Sequence, residues 1–387
     1  MEISTLPIYE ALSMITISFI LARVRLVLAL LPLLTVRKIA NLVAAICRFI
    51  VRSETTVAHP PILILTLTTE CNYSCIMCLR SRREGSTKGS LMAYDNPREM
   101  DFDRLEALLR EHADYLCVVQ LHGGEPLTYS RFLPLVQLLN ELRIPFDMVT
   151  NGSLLSERLC TELVGRYCFG LSVSLDAASP GTYARIRKGG DLANVLEGVG
   201  RITGQKRERR VRRPVVSASM CVFAQNVNEM AGLVRLCSDH GISDLTINEG
   251  WDYDTPEISE EHLVANNIDP VRRALEAARA EARRRKVNLR IRFPSLSGVE
   301  FHDVPRQDEL MLPRNCLNLY ASAWVLPDFR LMGCSNATAA FGSLTEYTFE
   351  EVWNGKAFGY VRARRSLKRK EVPAECTGCI YTGSFFS

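Results

Sequence analysis

From residue 61 onward, short apolar runs alternate with longer stretches in which apolar residues recur every three or four positions. The short runs predict strands over 62–67, 116–121, 146–150, 170–175, 215–222, 244–248 and 288–293. The amphipathic stretches predict helices at about 101–114, 131–142, 156–167, 193–203, 228–240 and 270–286. Strands alternating with helices of this length imply an α/β fold with a parallel sheet, and six such units imply a partial (β/α)6 barrel or a complete one. Ligand sites in such sheets lie at the carboxyl ends of the strands.

The first 53 residues depart from this pattern. Two uncharged apolar runs, 11–22 and 26–36, are separated by Arg23 and Arg25. Each is shorter than the ~18 to 20 residues that cross a bilayer, and Pro32 interrupts the second. The expectation is an amino-terminal hydrophobic helical segment lying in the plane of a membrane surface, with a true span, a hydrophobic cap on the rest of the protein or a partner-binding helix as alternatives. The basic residues follow the first apolar run, which argues against a signal peptide.

Charge sharpens this division. Residues 1–53 hold six basic and two acidic residues, and this segment accounts for the whole net charge of +4. The rest of the chain is neutral, and nothing in it points to a nucleic-acid surface. Thirteen cysteines, several of them in spaced groups, fit metal binding in a reducing compartment better than disulfides. A cytoplasmic protein, peripheral on the inner face of the membrane, is expected. Its units are 1–57, the hydrophobic and basic segment; 58–300, the barrel; and 301–387, a small cysteine-bearing module after a linker at about 294–314. So small a module needs a staple. The basic stretches 206–213 and 362–370 read as solvated faces.

Just past the first predicted strand stand Cys71, Cys75 and Cys78. Three thiolates so close can converge on one soft metal centre, and the missing fourth leaves a coordination position open. Structural zinc wants four ligands, so an iron–sulfur cluster is the better reading and zinc the alternative. Gly123, Gly124, Glu125 and Pro126 end the second strand, where glycines let the backbone approach a ligand.

The cysteine triplet followed one strand later by Gly-Gly-Glu-Pro resembles the radical S-adenosylmethionine (radical SAM) superfamily. The resemblance implies a [4Fe-4S] cluster on Cys71, Cys75 and Cys78 whose open iron binds SAM, with Gly123 to Pro126 at the methionine amino group. Met77 sits where the family places an apolar residue against adenine, although ordinary packing explains it too. Thr150, Asn151 and Gly152 resemble the polar end of the family's third strand, and Asn151 is carried over as a SAM contact. Ser174 and Arg187 match the segment that holds the ribose and carboxylate of SAM, where a guanidinium fork suits a carboxylate. Asp176 is expected to cap a helix or to face substrate.

Cys316 and Cys334 flank an apolar stretch and the turn Pro327-Asp328, and Cys376 and Cys379 close the set. Four thiolates can fully ligate a second, auxiliary [4Fe-4S] cluster. This region resembles the twitch module, the shortened form of the SPASM extension, with Phe329 where the family pattern has glycine. Four-cysteine zinc is the alternative. The other six cysteines, Cys221 among them, read as buried small hydrophobes.

The expected activity is generation of a 5'-deoxyadenosyl radical that abstracts a substrate hydrogen, with oxidation of a polyol, sugar or lipid-headgroup alcohol and the auxiliary cluster as electron acceptor. The alternatives are a maturase of a ribosomally made peptide and a non-catalytic, membrane-anchored iron–sulfur electron carrier. A flavodoxin or ferredoxin-type reductant is the implied partner.

Overall fold

The computed structural model describes residues 30–84, 98–293, 316–334 and 339–365. The barrel strands are β1 (Ile62–Thr66), β2 (Val118–His122), β3 (Phe146–Thr150), β4 (Cys168–Ser174), β5 (Val215–Val222), β6 (Asp244–Glu249) and β7 (Asn288–Arg292). The carboxyl-terminal region adds β8 (Ser322–Val325), β9 (Arg330–Met332) and β10 (Gly342–Ser343). All ten form one sheet in the order β10-β9-β8-β1-β2-β3-β4-β5-β6-β7. Strands β1 to β7 run parallel, β8 pairs parallel with the outer edge of β1, and β9 and β10 continue antiparallel.

The helices are α1 (Val36–Ile50), α2 (Phe102–His112), α3 (Phe132–Glu141), α4 (Glu157–Leu163), α5 (Pro180–Ile186), α6 (Leu192–Glu208), α7 (Met230–Asp239), α8 (Ile268–Arg285), α9 (Asn318–Ala321), α10 (Phe349–Trp353) and α11 (Lys356–Arg365). Several start where a short polar side chain takes up a free amide: Asp101 accepts from Arg104 N, Ser156 from Leu159 N and Asp191 from Ala193 N. Helix α4 is shorter than its apolar spacing predicts. Helix α6 runs on to Glu208, into the expected basic stretch, and α5 has too few residues to show a period.

Alternation along the strands sorts the two faces of the sheet. On β5, Val216, Ala218, Met220 and Val222 enter the main core with the helices, and Ser217, Ser219 and Cys221 stay half-buried on the other face. That second face lines the barrel lumen.

The amino-terminal segment packs on the barrel. Leu30 clusters with Ile62, Val118 and Phe169 at the amino ends of their strands. Lys38 Nζ donates to Arg143 O at 2.9 Å, Asn41 Nδ2 donates to His59 O at 3.0 Å, and Ala45 is buried. Residues 30–50 therefore serve as the hydrophobic cap that stood as an alternative, while most of the two apolar runs lies outside the described residues. Among the described residues no helix is long and apolar enough to cross a membrane. Val36, Val43 and Ile50 on α1 remain exposed.

One basic residue overturns its expected place. Arg362 is fully buried, not solvated: its guanidinium stands 4.7 Å from the Trp353 ring and 5.1 Å from Phe358, and Nε donates to Leu319 O at 2.7 Å. Aromatic faces and a carbonyl replace the water that a surface arginine keeps, which is why charge density alone misplaced it. The departure at Phe329 also has a structural reading. Its φ is +63°, a left-handed conformation that glycine adopts freely, and its ring is buried against the core. The expected linker and the pair Cys376 and Cys379 lie outside the described residues.

Candidate active site

The loop after β1 is held from three sides. Gly124 N donates to Thr68 O at 2.8 Å and Glu125 N to Glu70 O at 2.7 Å, joining it to the end of β2. Ser74 N donates to Lys188 O at 2.9 Å and Ile76 N to Ile186 O at 3.0 Å, joining it to the end of α5. A Cβ on Gly124 would lie 2.0 Å from Glu70 O, and one on Gly123 would lie 2.5 Å from Thr68 O. The glycines are thus required first by the close approach of two backbone segments.

Within this loop Cys78 N donates to Cys75 O at 3.1 Å, a turn that brings the last two cysteines round together. Cys75 is buried, Cys71 and Cys78 are half-buried, and none forms a disulfide. The charges of the three thiols act on one another. Burial pushes the Cys75 thiol up to about 12, opposed by the guanidinium of Arg187, whose Nη1 lies 3.8 Å from Cys75 Sγ. Metal loading must displace those protons. Soft, neighbouring thiols on one braced loop fit an iron–sulfur cluster. Among the described residues no three Cys, His, Asp or Glu side chains are arranged to hold a single metal ion.

Glu125 is 1% exposed, and its carboxylate accepts from Thr150 Oγ1 at 2.6 Å, Asn151 N at 2.7 Å and Leu127 N at 3.2 Å. Burial raises its pKa, and these donors oppose the rise. Its side chain is engaged with the end of β3, so what it offers a ligand is the position of the backbone around it. Pro126 is buried and opens the turn that follows. Asn151 Nδ2 donates to Asn72 Oδ1 at 2.8 Å, so the end of β3 also braces the cysteine loop.

Asp176 neither caps a helix nor stands open to the lumen. It is 1% exposed, accepts from Arg187 Nε at 2.5 Å and from Cys221 N at 2.7 Å, and so fixes Arg187 beside Cys75. Met77 packs against Ile76, Ile186, Phe223 and Ile258, an apolar wall beside the cysteines. Ser174 lies half-buried at the end of β4 on the lumen face, in register with Ser219.

Sequence reasoning missed the roles of Asn72 and Cys221, and it named Thr150 only as part of a polar strand end, not as a donor to Glu125. Cys221 is half-buried on the lumen face and packs with Ile76, Ile186, Phe223 and Ile258 outside the helix-side core, and burial raises its thiol pKa, with Asp176 adding to the rise and Arg187 opposing it. The signal was available, because Cys221 continues the alternation of Ser217 and Ser219. The structure places Cys334 with Trp324, Leu326 and Met332, and Cys316 with Leu319 and Tyr320. Their two expected co-ligands are outside the described residues.

Two family models match. The radical SAM superfamily model covers residues 65–237, and the iron–sulfur cluster-binding domain model covers 316–380. Among curated proteins, the chain is 23% identical over 180 residues to a probable GTP 3',8-cyclase of Methanocaldococcus jannaschii, covering 46% of this chain and 55% of that one. It is 35% identical over 139 residues to a probable GTP 3',8-cyclase of Thermococcus kodakarensis, covering 35% and 42%. The matches thus span about half the length of these relatives. Among solved structures, SuiB of Streptococcus suis bound to S-adenosylmethionine shares the fold at a TM-score of 0.62 and 16% identity, covering 85% of this chain and 72% of that one. The cysteine loop, its bracing strand ends and these matches agree: the chain belongs to the radical SAM superfamily, whose members use a [4Fe-4S] cluster and SAM, and it carries an iron–sulfur cluster-binding domain towards its carboxyl end.

Proposed function

We propose that the protein abstracts a hydrogen from an alcohol carbon of a polyol, sugar or lipid headgroup and oxidises it. The observation that carries this reading is the lumen face, where Ser172, Ser174, Ser217, Ser219 and Thr246 stand on neighbouring strands in register. A wall of hydroxyls matches a substrate rich in hydroxyls, donor to acceptor.

When bound and reduced, the cluster on Cys71, Cys75 and Cys78 together with SAM supplies a 5'-deoxyadenosyl radical. The chain's own contribution is placement. Glu125 and Asn151 hold the cysteine loop against the ends of β2 and β3, and the Asp176–Arg187 pair sets a fixed positive charge beside Cys75. The proposed ligands of one auxiliary cluster are Cys316, Cys334, Cys376 and Cys379; such a cluster would supply an acceptor for the electron left on the substrate, the hydroxyl proton passing to solvent. A flavodoxin or ferredoxin-type protein would be the reductant.

A second reading, peptide maturation, is favoured by the fold shared with SuiB, which is known bound to the precursor peptide SuiA. Superfamily relatives are enzymes, which weighs against the electron-carrier reading. For location we propose a peripheral seat on the cytoplasmic face of a membrane. Exposed Val36, Val43 and Ile50 on α1, with Arg48 beside them and a basic amino-terminal segment, would face an anionic lipid surface.

Isotope transfer tests the activity. Deuterium from a carbinol-labelled polyol is expected in 5'-deoxyadenosine after turnover of the reconstituted protein. Transfer from a labelled peptide and from no polyol would reverse the order of the two readings.

A further inference from the structure

Every segment that leads into a parallel barrel strand arrives at the amino-terminal end of the sheet, the floor opposite the cysteine loop. Helix α1 lies across this floor: Lys38 Nζ reaches Arg143 O before β3, and Asn41 Nδ2 reaches His59 O before β1 and, at 3.4 Å, Tyr115 O before β2. Gly165 N donates to Arg213 O at 3.2 Å, joining the segments before β4 and β5, and Asn288 N donates to Ser243 O at 2.8 Å, joining the start of β7 to the segment before β6. Lys38 and Ala45 are the buried side of α1, so exposed Val36, Val43 and Ile50, seven positions apart, form a stripe pointing away from the barrel. Leu30 packs at this end too, so residues 1–29, apolar and basic, join the barrel at its floor.

Unpaired positive charge gathers on the same floor. Residues 206–213, the end of α6 and the turn into β5, hold six basic residues and one acidic. Arg207, Arg210 and Arg212 in this stretch, Arg143 before β3, and Arg283 and Lys286 at the end of α8 are all exposed, and no carboxylate pairs with any of the six among the described residues. Three acids at this end are taken by other arginines: Asp114 by Arg37, Glu141 by Arg110 and Asp239 by Arg285. We propose that these six cations form a docking surface for an anionic bilayer, on the side where α1 presents its apolar stripe. Such a bilayer offers acyl chains to the stripe and phosphates to the cations, each cation near it adding about fivefold in affinity. The proposal rests on the peripheral-membrane reading and adds an orientation. Strands of five to eight residues hold the mouth of the barrel roughly 15 to 25 Å above this floor. With the floor on the bilayer the mouth opens to water, and the alcohol it takes is a soluble polyol or sugar, not a headgroup of that bilayer.

Flotation of the cluster-loaded full chain with phosphatidylcholine vesicles, with and without phosphatidylglycerol, tests the surface, and tryptophan quenching by brominated lipid tests the orientation. Binding is expected to need phosphatidylglycerol and to fall as salt rises. It should weaken at least about tenfold in the Arg207→Gln, Arg210→Gln and Arg212→Gln triple variant at parental iron content, and the matching triple lysine variant should bind as the parent does. If the glutamine variant loses iron, Arg283→Gln with Lys286→Gln replaces it, and weaker binding is again expected. Val43→Trp should add emission that the lipid quenches, whereas Trp251→Phe, which removes the exposed indole beyond β6 at the mouth, should leave the parent's quenching unchanged. Equal binding to both vesicles, or binding indifferent to both glutamine sets, overturns the basic floor; if Val43→Glu still abolishes that binding, the seat on α1 stands without it. Binding that needs the arginines and ignores Val43→Glu would keep the floor and end the seat on α1. Quenching lost in Trp251→Phe would set the mouth against the lipid and overturn the orientation. No flotation with either vesicle would overturn both readings and leave an acidic protein as the occupant.

Discussion

Trp324 on β8 donates its indole N–H to Oγ1 of Thr66 on β1 at 2.8 Å, with both residues buried. Trp324 lies between Cys316 and Cys334 in sequence, and Thr66 ends the strand that leads into Cys71. The two cysteine-bearing regions are therefore fastened by a shared strand pairing and a side-chain bond. Trp324→Phe keeps the ring and removes the donor, and is expected to cost about 1 kcal/mol; Trp324→Ala should cost about 3 to 5 kcal/mol. Denaturant midpoints measure both, and a phenylalanine variant as stable as the parent would show that the bond contributes nothing.

Glu125→Gln replaces one oxygen of an acceptor-only carboxylate with an NH2 that must face a backbone donor, either Leu127 N beside Thr150 or Asn151 N. A buried donor left against a donor costs about 1 to 3 kcal/mol. Loosening the brace between β2, β3 and the cysteine loop should also weaken SAM binding about tenfold or more, by analogy with outer-shell partners of metal ligands. Equilibrium SAM binding to the reconstituted variant measures this. Parental affinity would confine Glu125 to a role in stability.

Phe329 separates backbone strain from burial. Phe329→Ala loses the buried ring and keeps a side chain at φ +63°, whereas Phe329→Gly loses the ring and relieves the left-handed conformation. Both variants should be destabilised, the glycine one by about 1 kcal/mol less. Thermal or urea unfolding ranks them, and an alanine variant equal to or better than glycine would contradict the strain argument.

Asp147 supplies a pH dependence. Burial pushes its carboxyl up to about 7, while Gln120 Nε2 donates to it at 3.3 Å. The folded state thus holds the proton more tightly than the unfolded state, whose aspartate titrates near about 3.9. Its contribution to stability is complete below about pH 4 and is lost as pH rises towards about 7. Asp147→Asn should flatten the Tm profile over that window and raise Tm at pH 8. A parallel profile in both proteins would place the titration elsewhere.

Metal content separates the two cysteine sets. In a Cys71, Cys75 and Cys78 triple alanine variant, about four irons should remain, because four other thiolates are proposed to hold a cluster of their own. Iron and sulfide assays read this directly, and loss of all iron would remove the auxiliary cluster.

The barrel strands, the cysteine triplet and the Gly-Gly-Glu-Pro strand end were legible because each is a local pattern. Strand alternation follows burial on a sheet with two faces, and ligand spacing follows the geometry of a short loop. The parallel edge strand β7 and the apolar stretch that becomes β8 also left signals in the sequence, whereas the three-residue β9 and the Gly-Ser pair of β10 did not.

Long-range partners were left to the tertiary structure. Whether Arg362 meets water or an aromatic cage depends on Trp353 and Phe358 together with Leu319, and whether Asp176 caps a helix or pairs depends on where Arg187 arrives. Residues 30–50 carry an amphipathic pattern that fits a bilayer and a barrel floor equally well; the tertiary structure turns Leu30 onto Ile62, Val118 and Phe169 and Lys38 and Asn41 onto barrel loops, and leaves Val36, Val43 and Ile50 facing outward. A side chain's own chemistry sets which partners it can accept, and only the folded chain determines which of them come within reach.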